Sequence, residues 1–432
     1  MADGPPDARP RHVDVEAATD LCGFIDASPS PFHACEEMAR RLDDEGFVAL
    51  DERDAWTVEP GTTGYVIRDG GTIVAFRVGS APIAEAGFRL VGAHTDSPTF
   101  KVRPHGVTSR VGYGQLSVEV YGGPLAYTWL DRDLGLAGRV VLADGSIRSV
   151  HVDRPILRIP SLAIHLNREL NEEGLKLNPQ SHIVPLFAAA AQDLGLADLL
   201  ADHVDGEIIG WDLVLCDTQP SALGGVDKQF LFAPRQDNLV SCYAGLQALL
   251  RAGQGDATQV VVCNDHEEVG SGSAEGAAGP MLGDVLGRLI SASGDDDAQS
   301  LARAVAGSVL ISADAAHAVH PNYADKHDGG HRPRLGGGPV IKTHASQAYA
   351  TDAATLAWFR QRCEAAGVPV QYFSNRADAR SGSTIGPLTA TRLGLPTVDI
   401  GNPLLSMHSI REQSATVDVL YLVGALRNHL TA

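Results

Sequence analysis

The stretch Val260-Val261-Val262-Cys263-Asn264-Asp265-His266-Glu267-Glu268-Val269-Gly270 constrains the fold of this chain more than any other. A short apolar run bounded by polar residues reads as a buried strand, and this one passes directly into acidic residues and a Gly/Ser-rich turn. In an open α/β sheet, ligands sit in the crevice beyond the carboxyl ends of the strands, where loops from several strands converge. Two adjacent carboxylates at such a place, Glu267 and Glu268, are costly to keep ionised near a core without cations. The remainder of the chain must therefore bring something that neutralises them.

Other runs end in the same way. Phe88 to Ala93 reads as a strand entering His94-Thr95-Asp96-Ser97-Pro98, and His94 and Asp96, two apart, point to one face of an extended segment. Ser308 to Ser312 leads to Asp314, Pro396 to Ile400 leads to Met407-His408, and Asp237 stands where a helix over Asn238 to about Arg251 begins. Thr72 to Val78 reads as a further strand and Asp352 to Ala366 as a helix. Residues 1 to about 14 read as disordered, followed by two helical segments, the second opened by Ser30-Pro31. The Gly/Asp/Ser-rich stretch Ser291 to Ser300 reads as an exposed loop.

From about Phe100 to Pro234 the texture changes. Stretches such as Leu116-Ser117-Val118-Glu119-Val120-Tyr121 alternate and are separated by Gly and Asp-Gly turns, which favours antiparallel hairpins over βα units. The expectation is a discontinuous α/β domain, residues 1–99 and 235–432, interrupted by an inserted β-rich domain at 100–234.

Composition excludes several classes. A chain of 432 residues has room for two or three domains of ~100 to 200 residues each. The net charge of −19 argues against binding a phosphate backbone, so no nucleic acid is expected. No apolar run reaches the ~18 residues that would span a bilayer. The six cysteines form no C-x-x-C pair and sit mostly in apolar runs, as reduced thiols in a cytoplasmic protein do. No basic flank with an apolar core marks a secretory signal at the N-terminus.

Each polar residue above has an ordinary reading alone: a solvated turn for Glu267-Glu268, helix caps for Asp237 and Asp314, a satisfied polar side chain for His408. Together they are nitrogen and oxygen donors with no thiolate, a set suited to zinc and also to manganese or cobalt. If His94, Asp237, Glu268, Asp314 and His408 ligate directly, their three carboxylates match two divalent cations that share a hydroxide. The histidines at 317, 320, 327 and 331 fall in a loop beside Asp314 and read as supporting residues. There is no H-E-x-x-H helix and no G-x-S-x-G elbow.

The motifs Gly92-Ala93-His94-Thr95-Asp96-Ser97-Pro98, Arg235-Gln236-Asp237-Asn238, Asp265-His266-Glu267-Glu268-Val269-Gly270-Ser271, Ser312-Ala313-Asp314-Ala315-Ala316-His317, His320-Pro321-Asn322-Tyr323, Gly338-Pro339-Val340-Ile341-Lys342 and Met407-His408-Ser409-Ile410-Arg411-Glu412 resemble those of the aspartyl aminopeptidases. The resemblance runs in order from about residue 20 to the C-terminus. It implies an α/β fold with a mixed central sheet flanked by helices, an inserted β-rich dimerisation domain, and two cocatalytic divalent ions, zinc first. It implies that His94, Asp237 and Asp314 hold one ion and that Asp237, Glu268 and His408 hold the other. Asp96 would orient His94. The residues alone do not say which adjacent glutamate is the general base; the resemblance assigns Glu267.

The resemblance further implies cleavage of the first peptide bond of peptides with an N-terminal Asp or Glu. Lys342 would meet the substrate carboxylate, with Tyr349 also on the substrate side. His165 would reach a neighbouring subunit's active site in a homo-oligomer, a dodecamer built from dimers. The alternatives are an aminopeptidase for neutral residues and a metal-dependent deacylase or carboxypeptidase on the same fold.

Overall fold

The computed structural model describes residues 15–190, 195–295, 297–379 and 382–432. The stretch expected to be disordered, residues 1–14, lies outside them. A nine-stranded mixed sheet carries the centre of the molecule. Its middle is four parallel strands in the order Thr258–Asn264, Phe88–His94, Val309–Ala313 and Thr397–Gly401. Thr72–Arg77 and Val340–Thr343 continue it antiparallel on either side.

The period-two geometry of a strand explains why the sheet is covered on both faces. Val91, Ala93, Val261, Cys263, Ile311 and Val398 join one apolar core, under the helices Val15–Asp26, Pro31–Asp44, Gln236–Arg251 and Thr416–Leu430. Their alternates Leu90, Val260, Val262 and Leu310 join another, under Met281–Ala292 and Ser300–Ala306. Burying each valine, leucine or isoleucine among them stabilises the fold by about 1.5–3 kcal/mol. The expected helices over Asn238 to Arg251 and Asp352 to Ala366 are found at Gln236–Arg251 and Ala353–Ala365; Asp352 caps the latter by accepting from the Thr355 N–H.

Residues 99–217 build a second, six-stranded antiparallel sheet in the order Ile147–Leu157, Leu134–Leu142, Ile208–Asp217, Thr99–Arg110, Tyr113–Tyr121 and Leu186–Ala188. It has its own core around Phe100, Trp129, Leu136, Val152 and Leu213, and one residue from far along the chain, Ile410, is buried in it. The strands Ala222–Gly224 and Phe230–Ala233 belong to neither large sheet. They form a three-stranded sheet with Glu412–Ala415, so the chain is tied to its C-terminal part before residue 234. Among the described residues, no helix is long and apolar enough to cross a membrane.

Candidate metal centre

Parallel register brings the carboxyl ends of the four middle strands together. Asn264 pairs with His94, and Ser312 pairs with both Gly92 and Asp399. His94 is therefore the last residue of its strand, Asp314 follows the end of its neighbour, and Glu267 and Glu268 form a single 3-10 turn, Glu267–Val269, just past Asn264. Asp237 comes from the first turn of Gln236–Arg251, where its backbone departs from helical angles. His408 sits with φ +67° in the loop before Glu412–Ala415.

These five side chains meet. One oxygen of Asp237 lies 3.4 Å from His94 Nε2 and its other oxygen 3.4 Å from His408 Nε2. Asp314 Oδ1 is 3.6 Å from His94 Nε2, and Glu268 Oε1 is 3.4 Å from His408 Nε2. Good N–H···O hydrogen bonds are shorter, about 2.7–3.2 Å. A tetrahedral ion with bonds of about 2.0–2.1 Å sets its ligand atoms about 3.3 Å apart, close to the spacing observed. His94, Asp237 and Glu268 each offer a ligand atom, all within 4.8 Å of one another. Asp237 Oδ1 is buried with no hydrogen-bond partner, a state that a cation would relieve.

Electrostatics point the same way. Burial opposes protonation of His94, but Glu267, Asp237, Asp314 and Asp96 outweigh it and raise its pKa well above the usual imidazole value. Burial likewise opposes protonation of His408, and Asp237 and Glu268 carry it up to about 10. Burial, reinforced by Asp237, pushes Glu268 up to about 9. Glu267 rises to about 7, chiefly through burial and then through Asp314, Asp96 and Asp237 against the pull of His94. Without a bound cation the cluster holds protons instead, and divalent metal ions are what such a donor set accommodates.

Asp96 is fully buried, but its carboxylate mainly serves the acidic turn. It accepts from the N–H groups of Glu267 at 3.1 Å and Glu268 at 3.0 Å and from the Tyr121 hydroxyl at 2.8 Å. His94 Nδ1 lies 3.1 Å from the Asp96 carbonyl oxygen and 3.4 Å from its carboxylate. Either contact leaves Nε2 free to ligate.

Three supporting groups escaped sequence reasoning. Glu412, buried, accepts from the backbone N–H of His408 at 2.7 Å and of Asp237 at 3.1 Å. Ser97 Oγ donates to the Asp237 carbonyl, and the Gly123 carbonyl lies 3.0 Å from His408 Nδ1. Glu412 and Ser97 had a signal, their places in the quoted motifs four residues after His408 and three after His94; Gly123 had none.

Lys342 is buried. Its ammonium donates to the Ala315 carbonyl at 3.1 Å, lies 3.6 Å from Asp314 Oδ2, and stands 5.2 Å from the centre of the Tyr349 ring. His165 is not part of this cluster; it lies in the exposed 3-10 turn Ile164–Leu166. The loop histidines are engaged locally: His331 with Asp328, His320 with the Asn322 N–H, and His327 with the His317 carbonyl.

Residues 24–429 match the model of the aminopeptidase I zinc metalloprotease (M18) family. A probable M18 family aminopeptidase 2 of Stutzerimonas stutzeri is 50% identical over 418 residues, which are 94% of this chain and 96% of that protein. The M18 aminopeptidase of Thermotoga maritima superposes with a TM-score of 0.87 at 25% identity, covering 98% of this chain and 97% of that one. The mApe1 dodecamer of S. cerevesiae gives a TM-score of 0.82 at 31% identity, with 95% of each chain covered. A match over residues 24–429, on a fold that gathers nitrogen and oxygen donors at its strand ends, means that the chain belongs to the M18 family of zinc metalloaminopeptidases.

Proposed function

We propose that this enzyme uses two divalent metal ions to remove an acidic residue from the N-terminus of peptides. The observation that carries the reading is Asp237, whose two oxygens face different imidazoles at 3.4 Å each. Asp314 then completes one donor set with His94, and Glu268 completes the other with His408. When bound, two such ions, zinc first, would polarise the scissile carbonyl and acidify a water between them.

The protein's own groups do the rest. Glu267 Oε2, 4.0 Å from His94 Nε2, stands beside the donor sets without closing either. It takes the proton of the attacking water and returns it to the departing amine. Asp96 fixes the turn that carries Glu267. A free α-amine on the substrate is a further nitrogen donor of the kind this site takes, which accounts for attack at the first peptide bond.

Lys342 selects an acidic side chain. One ammonium in a dry pocket forms a charge-assisted bond worth ~1.5 to 3 kcal/mol, or about ten- to a hundredfold in selectivity. A chain of net charge −19 gains no long-range attraction for an acidic substrate, so this local charge decides. Residues 100–234 act as the assembly region of a homo-oligomer, in which His165 reaches a neighbour's site. The dodecameric mApe1 neighbour supports the assembly, and six buried free cysteines support a cytoplasmic setting.

The test is hydrolysis of Asp-p-nitroanilide after addition of zinc, manganese or cobalt. Activity should appear with metal, vanish with chelator, fall on Leu-p-nitroanilide, and vanish when the substrate amine is acetylated. Release of acetate from the acetylated substrate would instead indicate a deacylase, and loss of the last residue from an N-acetylated peptide with a free C-terminus a carboxypeptidase.

A further inference from the structure

The loop that leaves the six-stranded sheet after Tyr113–Tyr121 runs directly across the metal centre. Tyr121 donates its hydroxyl to Asp96 at 2.8 Å. Gly122, at φ +68°, passes so close to Glu268 that a Cβ there would lie 3.0 Å from the Glu268 Cβ. The Gly123 carbonyl, 3.0 Å from His408 Nδ1, holds that ring with Nε2 turned toward Asp237 and Glu268. The Leu125 N–H donates to the His408 carbonyl at 2.9 Å, and Thr128 Oγ1 accepts from the Ile410 N–H at 3.1 Å. Ile410, two residues past His408, is buried in the apolar core of the six-stranded sheet with Trp129 and Phe100.

These contacts fall unevenly on the two donor sets. His94 and Asp314 are held by the nine-stranded sheet, His94 as the end of its strand and Asp314 through its N–H to the Ile400 carbonyl at 2.9 Å. His408 and Glu268 are instead braced by residues 122–128, which follow the strand Tyr113–Tyr121 of the other sheet. The ligand loop of His408 is pinned on its ring, its own carbonyl and its side-chain neighbour Ile410.

We infer that residues 122–128 are a positioning strap that makes the His408–Glu268 metal site, more than the His94–Asp314 site, depend on how the six-stranded sheet is seated against the rest of the chain. The inference rests on the two-ion reading above. It makes the His408 side the labile ion, lost first when the two sheets shift, and gives the β-rich region a role in loading the enzyme. Partners that orient a metal-bound histidine typically contribute about 10- to 100-fold to metal affinity.

Zinc binding to the full chain, measured by competition with a chromophoric chelator and by metal content after dialysis, tests this. The unaltered chain should take two equivalents. Gly122→Ala should keep one at unaltered affinity and weaken the other about tenfold or more, matching Glu268→Gln and not Asp314→Asn. Thr128→Ala, which removes one hydrogen bond from the loop and decides the matter if Gly122→Ala does not fold, should weaken the same equivalent by a few-fold. Two equivalents at unaltered affinity in these variants, or equal weakening of both, overturns the strap alone. A single equivalent in the unaltered chain overturns the two-ion reading and the strap with it.

Discussion

Lys342 and Asp314 share a buried contact, ammonium to carboxylate at 3.6 Å, through the oxygen of Asp314 that does not face His94. Burial disfavours the charge on Lys342, yet Asp314 foremost, with Tyr349, Asp399 and Asp237, holds its pKa above the ordinary value. The pairing with Asp314 favours the ammonium form of Lys342, which can face an incoming carboxylate. Replacing Lys342 with an apolar side chain should remove selection while leaving the fold. Lys342→Leu is expected to lower the Asp-to-Leu ratio of kcat/KM by about ten- to a hundredfold, mostly through KM for the acidic substrate. An unchanged ratio would rule Lys342 out as the selector.

Glu267 is set apart from the ligands by distance, 4.0 Å from His94 Nε2 against 3.4 to 3.6 Å for the others. Glu267→Gln keeps size and removes only the proton acceptor. It should retain the metal content of the unaltered enzyme and lose about 10²- to 10⁴-fold in kcat. Burial raises this carboxyl to about 7, and a base must be ionised to act, so activity should fall as pH drops below neutrality. Divalent cations favour the ionised form, so the acid limb of the loaded enzyme should lie below pH 7. A pH profile of kcat/KM with added zinc locates that limb, which should be missing from the residual activity of Glu267→Gln.

Much of this was legible because strands announce themselves locally. Val260 to Cys263 and Phe88 to Ala93 are apolar on both faces, so they had to be interior strands, and the polar residues at their ends had to face one crevice. Asp237 was legible as a helix start, but its backbone departure from helical angles was not, because that is imposed by what it touches. The reach of Glu412 to the Asp237 N–H and the close approach of Gly122 to Glu268 each join residues more than a hundred positions apart, and no local pattern encodes such pairings. The antiparallel character of the six-stranded sheet was readable from alternation, but its last strand ends at Asp217, short of the expected boundary at 234. That Phe230–Ala233 pairs with Glu412–Ala415, or that Ile410 enters the other sheet's core, was not readable.

Asp418 offers a pH effect away from the metal centre. It is buried in the first turn of Thr416–Leu430 and accepts from the N–H groups of Gly336 and Gly338 at 2.7 and 2.9 Å. Burial outweighs those two donors and pushes it up to about 7. Its folded pKa thus exceeds the unfolded value of about 4, so between these values the folded state binds the extra proton and stability falls as pH rises. The full effect is on the order of 4 kcal/mol. Asp418→Asn cannot titrate, so its melting temperature should decline less than that of the unaltered chain between pH 4.5 and 7. Parallel declines would show that Asp418 does not titrate there.

Glu412 joins the two donor sets from behind. Each of its oxygens accepts one backbone N–H, from His408 at 2.7 Å and from Asp237 at 3.1 Å, so one carboxylate fixes the distance between these two residues. Glu412→Gln has the same shape but only one accepting oxygen, and its amide would set a donor against one of those N–H groups. A buried donor left unsatisfied costs about 1 to 3 kcal/mol. Because Asp237 faces both imidazoles, the loss should weaken both zinc equivalents, by about ten- to a hundredfold each. Gly122→Ala should touch only one, which separates the two supports. Glu412→Asp keeps the charge but shortens the reach, and it should restore little of the affinity if geometry, not charge, is what Glu412 provides. Affinities in Glu412→Gln equal to those of the unaltered chain would mean that the backbone of Asp237 is held by Gln236–Arg251 and Ser97 alone.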